Sequence, residues 1–533
     1  SDSSGVPDFV EKCAAYMDSS LQRHQDMGYL TPPADNGHGG SDAYDVYFQD
    51  MTSYGYTTPD GGGPNPWDDR ASYIVLHSNF LIFQPNDDPE GDQYGAAKVT
   101  AAHEFHHAVQ WSYDYGEAAW YSELDAVHME EMVFDASNDC YNYLGDFFLY
   151  PEKSLMETGY HAYASFIFGL FVAQVFDTTL MRACWEGALY VPEVFDVLSD
   201  SLYYNYGWTM DSAVAEFAVW NYFTGVRNDN AHHEEAAGYP LVTVGRTHSI
   251  FPIVATASPA NPAGYGSCYI EMYPDDQLGD LAIVFNGSDS RNWAARLITT
   301  HSDSVHEVMS FAPSPGSQLD TLIVDDYADY QRLTLVGINA DEYSSSAPFT
   351  YSAQVIPPHD VELEVLTPDL LVYSGGSRAY ECRVTNPSPV NDTYWLYAYD
   401  NRGWLPLDSQ LVPLIAGQDS IVQVELNPPV GTPLADTTTI SFEAVSNGNP
   451  DVSSTGSARA EIVLHRGDVN FDGTVDISDL IYFVNYSFNA GPAPEPVVLA
   501  ADHDCSEEID IADLVHLVSW MFQSGPDCPC NPY

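Results

Sequence analysis

Apolar residues recur every three to four positions through most of the first 245 residues and at alternate positions from about 248 to 465, which predicts a helical part followed by all-β parts. Val99, Ala102, Phe105, Ala108 and Val109 keep the helical period with neither Gly nor Pro between them, so a buried helix is expected there. A second helix is predicted over 120–134, with small and apolar residues at intervals of three and four, and an aromatic one over 159–168. Upstream, 72–83 is rich in β-branched and aromatic residues and reads as a strand. The longest apolar stretch, 164–175, is far short of the roughly 20 residues of a membrane span and reads as a buried helix.

Beyond 248 the period is two. Segments 267–273, 281–285 and 294–299 are separated by Gly, Asp, Asn and Ser turns, which predicts a β-sandwich or jelly-roll. Pro357-Pro358 marks a linker, after which 361–366, 378–384, 393–399 and 421–426 alternate in the same way, as an immunoglobulin-like sandwich would. Two short apolar helices, 480–486 and 514–522, close the chain.

The predicted helix around Val99 carries His103, Glu104 and His107, the spacing H-E-x-x-H. Residues four apart on a helix share one face, so both imidazoles can bind one Zn²⁺ while Glu104 reaches a water at the metal's open position. A third protein ligand is needed, and Glu123 on the next helix is the candidate, against the plainer reading of a solvated helical glutamate. Glu130, two turns further along the same face, is placed to orient a ligand imidazole; Glu131 is the weaker choice. His106 points about 100° away from His107 and reads as a supporting or surface residue.

The runs 99–114 and 120–131, the segment 217–227 followed by Gly238-Tyr239-Pro240, and the opening 5–11 and 44–47 together resemble a group of bacterial secreted metalloproteases of gluzincin type, related in pattern to thermolysin and the immune-inhibitor A peptidases. The resemblance covers roughly residues 1–245 and departs at Leu124-Asp125, where smaller residues are usual. It implies a zincin-like α+β peptidase domain that hydrolyses peptide bonds of a protein or peptide substrate, with Glu104 as general base. A transition-state donor is expected from 159–168, where Tyr163 and His161 are candidates, although a Tyr or His on such an aromatic helix is more often a packed residue.

A second constellation lies near the C-terminus. Asp468, Asn470, Asp472, Thr474, Asp476 and Asp479 occupy positions 1, 3, 5, 7, 9 and 12 of a calcium loop, Thr474 through its carbonyl, with Gly473 at the sharp turn. Asp502, Asp504, Ser506, Glu508, Asp510 and Asp513 repeat the pattern, with Glu507 where glycine is usual. Two such loops, each followed by a helix and ending in aspartate, resemble a type I dockerin, which implies Ca²⁺ binding and a cohesin-like or cell-surface partner.

Charge adds to this picture. Seventy-seven Asp and Glu stand against 16 Lys and Arg, a net charge of −61, and Lys12, Lys98 and Lys153 are the only lysines, so nucleic acid is not an expected partner. A solvated acidic surface screened by salt or divalent cations accounts for the spread of charge, as a halophilic source or a secreted calcium binder would both require. The first residue is Ser, not Met, which is expected of a secreted chain that has lost a leader. Eight scattered cysteines are compatible with disulfides; Cys505 with Cys528 or Cys530, and Cys140 with Cys184, are candidate pairs, whereas Cys528-Pro-Cys530 lacks partners for a metal site.

The expected architecture is a zincin-like α+β domain (1–245), a β-sandwich or jelly-roll (246–356), an immunoglobulin-like sandwich (357–465) and a small all-α dockerin-like module (466–533). Two functions follow: a secreted, calcium-stabilised zinc endopeptidase, or an extracellular assembly protein that uses the zincin fold as scaffold, which the large non-catalytic half and 37 tyrosines would suit. Keeping His103, Glu104, His107 and Glu123 together favours the enzyme.

Overall fold

A computed structural model describes residues 4–532 except 42, 192, 303–304, 315, 343 and 407–408. The protein is multidomain, with a helical N-terminal part, sandwich-like sheets and C-terminal helices, and it divides into two compact units at Ile356/Pro357.

The first unit opens with α1 (Asp8–Asp26) and a three-stranded sheet of β1 (Val46–Gln49), β2 (Gly55–Gly62) and β3 (Arg70–His77). β3 is central, parallel to β1 and antiparallel to β2, so β2 is an edge. The strand expected over 72–83 stops at His77, because its Nδ1 accepts the N–H groups of Asn79 and Phe80 and turns the chain, with Phe80 at φ 52°. Next come α2 (Asp92–Gln110), α3 (Ala119–Phe134), α4 (Tyr141–Leu149), α5 (Tyr160–Ala164) and α6 (Phe166–Val175). α2 is buried on nearly every side, which explains its run of alanines: Ala96, Ala97, Ala101, Ala102 and Ala108 let α1, α3 and β3 approach closely. The aromatic stretch divides into α5 and α6 at Ser165, and Gly169 lets α6 lie against the His128 ring, which a Cβ would approach to 3.0 Å.

The same unit continues into a four-stranded and a five-stranded sheet whose facing side chains, among them Ile270, Ile283, Phe285, Leu297, Leu335 and Phe349, form one core. Asp280–Asn286 shows the expected alternation, with Leu281, Ile283 and Phe285 inward.

In the second unit, three- and five-stranded sheets enclose Tyr380, Tyr394, Leu396, Ile440 and Phe442. Two helices, Ile477–Asn489 and Ile511–Gln523, follow and share a small core of Val469, Phe483, Ala501 and Leu517. Cys505 is bonded to Cys530. Cys140 and Cys184 are not paired: both are buried free thiols, and Cys140 Sγ donates instead to Glu131 Oε1 at 3.0 Å. Among the described residues no single helix is long and apolar enough to cross a membrane.

Candidate metal centre

α2 presents His103 and His107 on one face, and α3 returns beside it with Glu123. His103 Nε2 lies 3.1 Å from His107 Nε2 and 3.2 Å from Glu123 Oε2, which is 3.5 Å from His107 Nε2. Ligand atoms at about 2.0–2.1 Å from a tetrahedral metal sit about 3.3 Å apart, so the three atoms have the spacing of one face of such a site.

The other nitrogen of each ring is held. His103 Nδ1 donates to Glu130 Oε1 at 2.8 Å, and His107 Nδ1 donates to Gln110 Oε1 at 2.9 Å. The Gln110 amide is oriented because its Nε2 donates to Ser122 O at 2.9 Å, leaving the oxygen for His107. With protons on both Nδ1 atoms, each imidazole in its neutral form turns the lone pair of its Nε2 toward the other, and Glu123 Oε2 is buried with no hydrogen-bond partner. Three facing lone pairs are the donor set of a cation. Burial opposes a charge on His103, yet with no ion present the Glu123 and Glu130 carboxylates raise its pKa well above the ordinary value, and a bound cation would take the place of that proton. Glu123 is correspondingly held far below the usual carboxyl range, its two histidines outweighing burial.

Glu104 lies one residue along α2 and is 7% exposed. Its Oε2 accepts the Thr57 hydroxyl at 2.8 Å, from the edge strand β2. Gly55 makes that approach possible, since a Cβ there would lie 2.8 Å from Thr100 and 3.2 Å from the Glu104 side chain. Tyr163 joins the same place: its ring stacks on His103 with centroids 5.8 Å apart and its hydroxyl feels the Glu123 carboxylate. Burial, then the Glu123 charge, keeps that phenol protonated far above neutrality. His161 is elsewhere. Its Nδ1 donates to Asp146 Oδ2 at 2.7 Å and its ring stacks on Phe147, so it is a packed core residue and does not line the cavity beside His103.

His106 is fully buried, not at the surface, and bonds Asp125 Oδ2 at 2.7 Å. Sequence reasoning missed Asp125, Gln110 and Thr57. Gln110 alone left a signal, as an amide three residues after a ligand histidine.

The C-terminal loops share one framework of backbone-to-carboxylate hydrogen bonds. Asp468 takes the N–H groups of Asp472 and Gly473, and Asp502 those of Ser506 and Glu507. Asp479 takes those of Asn470 and Asp476, as Asp513 takes those of Asp504 and Asp510. Carboxylate oxygens of Asp468, Asp472 and Asp479 lie within 4.8 Å of one another, as do those of Asp502, Asp504 and Asp513. Asp476 and Asp510 cap the two helices through capping boxes. Asn470 donates to Asp472, the Thr474 hydroxyl also bonds Asp472, and the Ser506 hydroxyl bonds Glu508 O, so these side chains brace the loops. Arg466 pairs with Asp502 and adds a cation to the second loop. Groups able to hold metal ions are therefore present at three places among the described residues.

No protein-family model and no curated protein matches the chain. Among solved structures it is similar to a CARDB domain from Pyrococcus furiosus (16% identity, TM-score 0.16, covering 20% of this chain and 90% of that one). It is also similar to a sporulation control protein of Bacillus subtilis (8%, 0.14, 20% and 50%) and to a β-glucuronidase of Bacteroides uniformis (9%, 0.16, 44% and 34%). Similarities of this size assign neither a family nor an activity.

Proposed function

We propose that the chain is a zinc-dependent peptide-bond hydrolase of gluzincin type carrying a dockerin-like calcium module. The observation that carries this reading is the convergence of His103 Nε2, His107 Nε2 and Glu123 Oε2 at 3.1–3.5 Å with both Nδ1 atoms already engaged. Those three side chains would hold the ion, and Zn²⁺ so bound supplies Lewis acidity toward a carbonyl and lowers the pKa of water.

This chain's own residues do the rest. Glu104, steadied by the Thr57 hydroxyl, takes the proton of the attacking water on its carboxylate and returns it to the leaving amine. Tyr163, kept protonated, offers its O–H to the developing oxyanion. Glu130 and Gln110 hold the two rings in the tautomer that exposes Nε2. At the other end, Asp468, Asp472 and Asp479, and Asp502, Asp504 and Asp513, would hold Ca²⁺. A cohesin-like or cell-surface partner for that module, and secretion, belong to the same reading.

The test is metal analysis and peptide cleavage on the purified full chain. One zinc per chain is expected, with hydrolysis lost in Glu104→Gln while zinc is kept. A Glu104→Gln protein that cleaves as fast as the parent sinks the mechanism, and a parent chain that holds zinc but cleaves nothing favours the scaffold alternative.

A further inference from the structure

Beside His103 and Glu104 lies a cavity of about 230 Å³, below the roughly 300–1,000 Å³ of small-molecule sites, so it has room for a single side chain. Tyr54, Tyr143 and Tyr163 form much of its wall and Tyr160, 55% exposed, its rim. Two carboxylates, Glu130 and Asp139, also line it, each at least 97% buried. Neither meets a Lys or Arg among the described lining residues. Asp139 is bonded by a neutral group, Asn86 Nδ2 at 3.3 Å, with the neutral Tyr54 hydroxyl near it. Glu130 spends Oε1 on His103, but its Oε2 is buried with no hydrogen-bond partner.

Burial with no cation beside it pushes the Asp139 carboxyl up to about 6, and an apolar occupant would leave both that cost and the donorless Glu130 Oε2 in place. A cationic side chain would satisfy both carboxylates while its stem runs along the apolar parts of the tyrosine rings. The net charge of −61 draws basic ligands toward the protein as a whole.

We propose that this cavity is a specificity pocket for an arginine or lysine side chain next to the scissile bond, with Asp139 and Glu130 Oε2 as its anionic floor and the tyrosine rings as its walls. Its use in cleavage rests on the hydrolase reading above, but its occupancy does not. The pocket selects for charge at the end of a long stem, and Asp139 is its specificity-determining residue.

The test is calorimetric titration of the full chain with acetyl-arginine amide and with acetyl-norleucine amide, which has a similar stem and no charge. Arginine is expected to bind at least tenfold more tightly, and Asp139→Asn is expected to remove most of that preference. Equal binding of the two amides to the parent chain overturns the proposal, and this comparison needs no variant to fold. An unchanged preference in a folded Asp139→Asn protein overturns the role of Asp139. A parallel digest of a mixed peptide library separates the two readings. Arginine preference in binding without any cleavage keeps the pocket and overturns the hydrolase, whereas cleavage with no basic residue favoured beside the cut keeps the hydrolase and overturns the pocket.

Discussion

Replacing Asp125 by asparagine strikes the buried chain of polar groups behind the metal ligands. Asp125 is fully buried and accepts three N–H groups, from His106 Nε2 at 2.7 Å, His128 Nδ1 at 3.0 Å and Trp185 Nε1 at 2.6 Å. His106 Nδ1 is 2.9 Å from His24 Nε2, and His24 Nδ1 donates to Ser20 O at 2.7 Å. A carbonyl and a carboxylate only accept, so both outer nitrogens carry protons, and a third proton lies between the rings. Two neutral imidazoles hold one proton fewer. The dyad is therefore cationic against Asp125. Burial pushes His106 downward and, with the His106 charge beside it, His24 down to about 3, while the His106 charge and the bonds from His106 and His128 overcome burial to hold Asp125 far below a normal carboxyl. Those directions conflict, and the bond pattern decides for the ion pair, because two neutral rings would leave one contact without a proton. Asparagine keeps the shape but turns an NH₂ toward groups that only donate. Breaking a buried pair from one side costs about 3–5 kcal/mol, so we expect about 4 kcal/mol, or roughly 8–16 °C in the melting of the helical part at about 2–4 °C per kcal/mol. Near-UV circular dichroism of the full chain, in the band of the buried Trp185, reads this directly. A shift under about 2 °C would refute the ion-pair assignment.

That network also shows where sequence stops being sufficient. The helical period put His103 and His107 on one face, and the alternating carboxylates of 468–479 and 502–513 defined two loops, because both patterns are local arithmetic of 3.6-residue turns and loop positions. Asp125 broke the family-like pattern after Glu123, and its reason is tertiary: it gathers donors from α2, α3 and the helix Leu180–Ala188, which no spacing within 120–134 could announce. The same holds for Thr57, on a strand far upstream of Glu104. The apolar run after His77 looked like more strand, but Phe83 stacks on Tyr54 at 3.9 Å without entering a ladder; composition cannot separate ring stacking from strand pairing. For the cysteines, an even count permitted Cys140–Cys184, but the carboxylate of Glu131, nine residues before Cys140, had already claimed that thiol.

Gln110→Leu should lower zinc affinity about 10–100-fold without unfolding α2, since it strips the acceptor from His107 Nδ1; competition against a chelator measures it, and an unchanged affinity denies Gln110 its role. Thr57→Val should lower kcat/KM about tenfold, because a hydrogen bond to a charged group is worth about 1.5–3 kcal/mol and its loss frees the Glu104 carboxylate from its position; an unchanged kcat/KM denies the contact its role. Glu507→Gly should stabilise the second loop by about 1–2 kcal/mol in thermal scans, as Glu507 sits at φ 67° where its counterpart is Gly473 at φ 91°; a loss of stability would count against strain there. The calcium module carries the sharpest sign. Burial, with the charges of Asp479 and Asp472 behind it, pushes Asp468 up to about 6 against its backbone N–H bonds, and burial likewise raises Asp479. An unfolded aspartate titrates near about 3.9. The folded module thus binds these protons more tightly than the unfolded chain, so without calcium its stability is full below about pH 4 and is lost as pH rises through about 6. Asp472 is lowered, an opposing effect, but it is exposed and screened. Calcium must displace the same protons, so its binding strengthens over the window in which the empty module weakens. In chelator the C-terminal transition should melt higher at pH 4.5 than at pH 7, and in excess Ca²⁺ the order should reverse. A module that gains stability with pH in chelator would mean that its buried aspartates are satisfied by the backbone alone, and that the loops do not need an ion.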